Sequence, residues 1–537
     1  MKNSSANQYP YSSRRTVTYG HNGMVATSQP LASQAGLDMI KKGGNAIDAA
    51  IATAACLTVV EPTSNGIGGD AFALVWTKNK LHGLNASGPA PQGISIEKLK
   101  KAGINEIPKF GLTPVTVPGA PSAWVELSEK LGKLPIIEVL EPAINYARNG
   151  FPLSPTLAYN WEKGVENFRK VLKGEEFQGW FDTFAPDGRI PKAGELWKSE
   201  GHARTLELIG ETKGEVFYRG ELADKIDEFS KKFGGFIRKE DLGAFRPEWV
   251  DPISVNYKGY DVWEIPPNGQ GIVALMALNM LKNDEFNARE DVNTYHKQIE
   301  AIKLAFADGE KYITEKGSMS QSVENMLSEA YGEKRRHLIA EEALTPEAGE
   351  PDAGGTVYLS TADGDGNMVS FIQSNYMGFG SGLVVPGTGI SLQNRGHNFS
   401  LDPEHDNALE PGKRTYHTII PGFLTKGKEA IGPFGVMGGF MQPQGHLQVV
   451  MNTIDFGLNP QAALDAPRWQ WMKDKQVLLE HSVPNFIAQA LSAKGHDIQL
   501  THMSGSFGRG QIIWRDPFTG VLAGGTESRT DGAIAVY

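Results

Sequence analysis

The 537-residue chain predicts a layered fold of strands flanked by helices, α/β or α+β in class, and three observations carry that reading. Short runs of branched and aromatic residues bounded by turn residues, such as Phe72 to Trp76, alternate with long helical patterns such as Ala46 to Val60. A single clear composition boundary falls at 355/356, where an acidic stretch gives way to strand-rich text, yet neither side looks self-contained. The length exceeds what one ordinary core serves, so the chain is multi-domain or one large layered body.

Composition removes several function classes. The chain is 40% hydrophobic and 21% charged, ordinary for a globular protein, and its net charge of −10 gives no basic footprint for nucleic acid and no polybasic membrane anchor. Cys56 is the only cysteine, which rules out an intrachain disulfide and CxxC-type sites; inside an apolar helical run it is expected to be buried and inert. The N-terminal residues lack an apolar signal core. The longest apolar run, Ile47 to Val60, is too short to span a bilayer and carries Asp48, so a soluble, cytoplasmic protein is expected.

Taken in order, residues 1–20 are polar and expected to fray. Ser28 and Pro30 open a helix that stops at Gly43-Gly44. Asn45 caps the next helix, with Asp48 in its favourable first turn; the small residues of both helices predict close packing. Gly66 to Ala71 formally satisfies GxGxxA, but it follows a helix and precedes a strand, the reverse of a dinucleotide-binding turn. Its glycines predict a tight turn near a ligand. Phe72–Trp76 and Leu81–Leu84 form a hairpin around Lys78-Asn79-Lys80. Residues 123–250 alternate helical patterns with charged loops and carry no catalytic constellation. Tyr257 to Ile265 is a strand, Pro266 to Gly271 a turn, and Ile272 to Leu281 a helix. Tyr295 to Tyr312 is a long amphipathic helix whose His296 has no second His or Cys at metal spacing, so a structural role and no metal are expected. Residues 341–355 have the composition of a flexible exposed linker.

Asp352 to Ser374 is the stretch that decides function. A Gly-flanked Thr356 opens a strand, Asp363 to Asn367 makes a turn, and Met368 to Ser374 returns. Two readings compete: an ordinary surface hairpin, or a scission point at Gly355–Thr356 that makes Thr356 a new N-terminus and a nucleophile. No Ser-His-Asp pattern is visible, but a free α-amino group titrates near pH 7.7–8.0 and can serve a Thr hydroxyl as its base.

Several blocks, in order, resemble the γ-glutamyltransferases (glutathione hydrolases) of the N-terminal-nucleophile hydrolase superfamily. They are Gly43 to Pro62, Ser64 to Asp70, Gly355 to Asn367, Phe379 to Gly382, Pro411 to Arg414, Gly438-Gly439 and Asp455 to Trp469. The resemblance spans Val25 to Ala535 and implies an α+β, four-layer αββα sandwich. It implies a proenzyme cut between Gly355 and Thr356 into a large subunit, 1–355, and a small catalytic subunit, 356–537, which stay intertwined as a heterodimer. It implies an acyl-enzyme on Thr356 that passes a γ-glutamyl or related acyl group to water or an amine, with no cofactor. By alignment Ser374 is the second hydroxyl beside the nucleophile, and Gly438 and Gly439 form the oxyanion hole. His417 and Thr418 stand where the family has two serines that contact the substrate carboxylate.

Two positions depart from the family pattern. Ser87 stands where the family carries the Arg that binds the glutamyl carboxylate, and Asn398 where it carries the Asp that holds the α-amino group. Ser cannot replace a bidentate guanidinium. Arg395, or Arg414 with Lys413, can supply the charge instead; Arg395 can equally be an interior structural pair. The short Phe399–Lys413 loop implies a more open pocket. Retained nucleophile machinery with altered glutamate recognition also resembles the cephalosporin and glutaryl acylase branch. An unprocessed binding protein of the same fold is the remaining alternative.

Overall fold

The computed structural model describes residues 15–346, 355–502 and 504–537. Two seven-stranded sheets face each other. The first runs, edge to edge, Ala533–Val536, Gly23–Thr27, Gly355–Asp363, Met368–Tyr376, Asp70–Thr77, Lys80–Ala86 and Glu248–Val250, with every pairing antiparallel. The second runs Thr18–Gly20, Leu522–Thr526, Arg509–Arg515, Glu429–Met437, Gly422–Lys426, Tyr260–Glu264 and Ile253–Tyr257. Each sheet mixes strands from both sides of residue 355, which explains why neither half looked self-contained.

Burial on both faces of the first sheet makes the four layers visible in the central hairpin. Val357, Leu359, Val369 and Phe371 point to an outer layer built on the helices Pro30–Lys41, Ala46–Val60, Ala120–Leu131 and Ile136–Asn149. The alternate residues Tyr358, Ala362, Met368 and Ile372 point inward, against Ile265, Phe423 and Ile513 of the second sheet and its connections. Beyond the second sheet, the helices Gly271–Leu281, Val292–Tyr312 and Met441–Ile454 close the sandwich. The expected αββα architecture is therefore present.

Local expectations hold where side-chain chemistry dictates them. Asn45 accepts from the Ile47 and Asp48 amides while Asp48 accepts from the Asn45 amide, a complete capping box. Asp48 also accepts from Lys133 and Leu134, so one carboxylate joins two helical segments. Cys56 is buried, and burial pushes its thiol far above the ordinary range. Three expectations need correcting. Tyr257 to Ile265 is two strands, because Lys258 and Gly259 take positive φ and turn the chain. Within 1–20, Thr18–Gly20 pairs with Leu522–Gly524; residues 1–14 lie outside the described residues. Within 341–355, Ala343 is buried and its amide donates to the Lys494 carbonyl, while the Leu344 amide donates to Glu300. That part is pinned, and 347–354 lie outside the described residues.

The close helix packing predicted from small residues is real. A Cβ at Gly36 would stand 2.2 Å from Thr53 Oγ1 and 2.9 Å from the Ala49 carbonyl, and that hydroxyl is itself held by Ala49 at 2.7 Å. Gly36→Ala is expected to lower stability by about 1–3 kcal/mol, the ordinary range for overpacking. An unchanged urea-unfolding midpoint would contradict so tight a contact.

Candidate active site

The site forms at the open end of the central hairpin. The ladder shifts register between Gly355↔Tyr376 and Val357↔Gln373, so Thr356 lies opposite both Ser374 and Asn375. Bulges of this kind re-aim side chains next to reactive positions. Thr356 Oγ1 donates to Ser374 Oγ at 3.1 Å, and Ser374 Oγ donates to the carbonyl oxygen of Gly355 at 2.7 Å. A hydroxyl relay thus runs from the Thr356 side chain to the carbonyl of the bond that precedes it. The Tyr376 amide (2.8 Å) and Arg395 Nη2 (3.3 Å) both donate to the same Ser374 oxygen.

Arg395 is wholly buried in a short 3₁₀ turn, with its guanidinium 4.4 Å from the Tyr376 ring centroid. Nη1 donates to Thr418 Oγ1 at 2.7 Å, and Nε has no partner among the described residues. Burial lowers the Arg395 pKa to about 10, against the raising influence of Asp70, so it stays cationic at neutral pH. Asp70 accepts from the Gly88 amide at 3.0 Å, from Gln393 Nε2 at 2.8 Å and from His417 Nε2 at 3.0 Å. Burial pushes its carboxyl up to about 7, despite the nearby Arg395 charge. Burial and Arg395 hold His417 well below its usual range, so it is neutral with the proton on Nε2.

Glycines let these elements approach one another. A Cβ on Gly69 would stand 2.5 Å from the Ser374 carbonyl, so the Gly66–Gly69 loop packs directly on the strand that carries Ser374. That context, and not a phosphate, accounts for the glycine-rich text. Gly438 and Gly439 have φ of 139° and 59° at the end of the Glu429–Met437 strand, and among the described residues neither amide donates to a partner. Gln270 Nε2 donates to both the Thr418 carbonyl (2.6 Å) and the Gly439 carbonyl (2.9 Å), tying the Arg395 cluster to the glycine pair. A cavity of about 490 Å³ has Gly355 and Gly438 in its wall.

The structure therefore brings together Gly355, Thr356, Ser374, Arg395, His417 and Thr418, with Gly438 in the wall of the cavity that Gly355 also lines. Ser87 is elsewhere. Its hydroxyl donates to Asn85 Oδ1 at 2.7 Å and meets Asn268, and its carbonyl accepts from Arg414 Nε. Asn398 donates to the Tyr416 carbonyl at 3.1 Å. Arg414 pairs with Glu248 and Lys413 with Glu410, which leaves Arg395 as the guanidinium beside Ser374. Sequence reasoning assigned no role to Asp70, Tyr376, Gln270 or Gln393. Asp70 lay in a quoted block, but its partner His417 is 347 positions away.

For a metal, the set His296, Glu300 and His496 has donor atoms within 4.8 Å of one another. His296 thus meets a second His that the linear spacing could not reveal. Its Nε2 donates to the Ala340 carbonyl at 2.8 Å, so its Nδ1 accepts from His496 Nε2 at 2.9 Å. The Lys303 ammonium lies 2.8 Å from Glu300 and 3.5 Å from His496 Nδ1, occupying the cation's place in a network already satisfied.

The chain is 36% identical over 525 residues to the glutathione hydrolase-like YwrD proenzyme of Bacillus subtilis, covering 96% of this chain and 98% of that protein. It is 34% identical over 530 residues to the oxamate amidohydrolase proenzyme of Klebsiella pneumoniae, covering 96% and 98% respectively. The crystal structure of a cephalosporin acylase from Bacillus halodurans superposes with a TM-score of 0.97 at 66% identity, covering 100% of this chain and 99% of that one. The gamma-glutamyltranspeptidase family model matches residues 32–537. The chain accordingly belongs to the γ-glutamyltranspeptidase family and has its N-terminal-nucleophile hydrolase fold.

Proposed function

We propose that the chain cuts itself between Gly355 and Thr356, and that the resulting N-terminal Thr356 hydrolyses or transfers acyl groups from carboxylate-bearing amides of the γ-glutamyl or glutaryl type. The observation that carries this reading is the relay Thr356 Oγ1–Ser374 Oγ–Gly355 O. Ser374 polarises the scissile carbonyl while its oxygen receives the Thr356 proton. Attack by Thr356 Oγ1 on the Gly355 carbon passes its proton through Ser374 to the carbonyl oxygen and on to the departing nitrogen, so the C–N bond breaks to give an ester and a free Thr356 amine; water then splits the ester into a Gly355 carboxylate and the Thr356 hydroxyl. The products are a large subunit, 1–355, and a small one, 356–537, interleaved in both sheets. In turnover, that amine takes the hydroxyl proton and returns it to the leaving amine. The Gly438 and Gly439 amides are the donors for the oxyanion, each a contribution of roughly 10²–10³ in rate.

Acyl recognition follows from charge. The buried Arg395, with an unpartnered Nε and within reach of the nucleophile's partner Ser374, is the anchor for the acyl carboxylate, with Thr418 beside it. No carboxylate stands at Asn398 to hold an α-ammonium. That observation, together with the 66% identity to a cephalosporin acylase, favours an acyl group that lacks the ammonium.

Purified protein should run on a denaturing gel as two chains split before Thr356, while Thr356→Ala stays whole; an uncut wild-type chain would reject the mechanism. Of two 4-nitroanilides, the glutaryl compound should exceed the γ-glutamyl one in kcat/KM by about tenfold or more, the cost of a buried unpaired ammonium. Arg395→Gln, once shown to be cut, should lose about 10- to 100-fold on the glutaryl substrate; a γ-glutamyl preference, or indifference to Arg395, would refute this acyl assignment.

Asp70 gives a pH signature. Its carboxyl is neutral below about 7 and ionised above, where its charge offsets that of Arg395. KM for a glutaryl anilide is therefore expected to rise as pH rises through 7, while kcat rises as the Thr356 amine, ordinarily near 7.7–8.0, loses its proton. An uncharged butyryl anilide should show the kcat rise without the KM rise; parallel KM profiles for the two substrates would exclude Asp70 as the titrating neighbour.

A further inference from the structure

The glycine pair proposed to supply the oxyanion donors has no side chains of its own to hold it. Gly438 and Gly439 take φ of 139° and 59°, values that glycine reaches without steric cost, so groups outside the pair must fix the two peptide planes. Part of that hold is local. The Met441 amide donates to the Gly438 carbonyl at 3.0 Å, and the Gln442 amide to the Gly439 carbonyl at 3.2 Å, both within the turn into helix Met441–Ile454. Among the described residues, the bond from outside that turn comes from 169 positions away, from the side chain of Gln270.

Gln270 is wholly buried and its amide is fully engaged. It precedes helix Gly271–Leu281 but its side chain does not cap it. Nε2 donates instead to the Gly439 carbonyl at 2.9 Å and the Thr418 carbonyl at 2.6 Å, while Oε1 accepts from the Tyr416 hydroxyl at 2.8 Å. Two carbonyls can be met only by the NH₂ end, so the amide has one permitted orientation. Burial, with Glu310 and Tyr376 nearby, holds the Tyr416 phenol well above its usual range, so it stays protonated and donates. The Tyr416 ring also stacks on Phe440, the residue after Gly439, with centroids 5.9 Å apart. The Gln270 backbone amide donates to the His417 carbonyl at 2.9 Å, so one residue grips 416–418 and 439 together. Thr418 in turn accepts from Arg395 through its hydroxyl.

Building on the function proposed above, we infer that Gln270 is a positioning residue for acyl transfer, which holds the Gly439 peptide and Thr418 in fixed register. It acts through those two residues and not on the reacting atoms. Its contribution is pre-organisation. The oxyanion donors and the hydroxyl beside the carboxylate anchor are set before substrate arrives, and a shift of about 1 Å in such geometry costs on the order of 10²-fold in rate. Tyr416 acts through Gln270 by holding Oε1.

The test uses the processed enzyme, each variant first shown on a denaturing gel to be two chains, with glutaryl and butyryl 4-nitroanilides as substrates. Gln270→Met keeps the volume and removes all three side-chain bonds. It should lower kcat about 10- to 100-fold on both anilides and raise KM about threefold or more on the glutaryl compound alone. Gln270→Glu retains the acceptor for Tyr416 but donates only while protonated. Burial raises such a carboxyl, and the other titratable or charged groups about it are Tyr416, His417 with Asp70, Arg395 beyond Thr418, and Glu264 beside Gly271. Its kcat relative to wild type should therefore fall as pH rises, a dependence that lost packing does not produce. Tyr416→Phe should cost about 3- to 10-fold in kcat alone and nothing further beside Gln270→Met. A Gln270→Met kcat within about twofold of wild type, a pH-independent Gln270→Glu ratio, or additive losses with Tyr416→Phe overturns the inference. If wild-type protein cuts neither anilide, it is the proposed function that fails. In that case, and for any variant that stays uncut, Gln270 is judged by amide hydrogen exchange of residues 437–442 in the whole chain. Faster exchange there in Gln270→Met and Tyr416→Phe supports the positioning role, and exchange equal to wild type rejects it.

Discussion

Ser374 Oγ is the atom on which this site depends. It donates once, to the Gly355 carbonyl, and accepts from the Thr356 hydroxyl, the Tyr376 amide and Arg395. A serine hydroxyl has one proton and two lone pairs, so these four partners more than fill it and fix its rotamer. The consequence is directional: the proton of Thr356 points away from the bond to be cut, and the proton of Ser374 points at it. The same contact places a guanidinium one hydrogen bond away from the nucleophile's own partner. In the proposed mechanism processing and acyl recognition share one oxygen, so a change at Arg395 is expected to be felt in maturation as well.

The surrounding fold is what makes such a cluster affordable. Asp70, Arg395, His417 and Thr418 are all buried, and an isolated charge there would cost several kcal/mol. Burial is offset because Asp70 accepts three hydrogen bonds, and Arg395 lies over Tyr376 and donates to two hydroxyls. The glycines of the Gly66 loop permit this by letting backbone pass where a Cβ would collide, at Gly69 against Ser374 and at Gly68 against Ser391. What resembled a nucleotide motif is a close-packing device.

Much of the fold was legible because it is local chemistry. The Asn45 capping box, the Lys78-Asn79 turn and the hairpin from Thr356 to Ser374 all follow from residue types at fixed offsets. Much of the site was legible through the Gly355-Thr356 and Gly438-Gly439 blocks. The rest depends on contacts between distant positions, for which no offset exists. Asp70 meets His417 and Gln270 meets Gly439 because the two sheets interleave strands from both sides of residue 355, and His296 meets His496 because helix Val292–Tyr312 packs on the C-terminal part of the chain. Ser87 shows the converse. Its alignment position is that of a substrate-binding residue, but Asn85 and Asn268 hold its hydroxyl.

The His296 network also bears on what a cut before Thr356 would leave behind. Helix Val292–Tyr312 supplies His296, Glu300 and Lys303, which hold the Ala340 carbonyl, the Leu344 amide and the Leu344 carbonyl respectively. From the other side of the cut come His496, bonded to His296, and Lys494, whose carbonyl accepts from Ala343. The chain leading to the scission point is therefore fastened about ten residues before it, to groups from both halves. Breaking one peptide bond leaves this fastening and every pairing of the hairpin except Gly355↔Tyr376, since strands Gly23–Thr27 and Asp70–Thr77 still flank the rest of it. Such a cut would change the connectivity of the chain and the chemistry of Thr356 while the packing that orients Ser374 and Arg395 stays in place, which is what a nucleophile made by its own scission requires.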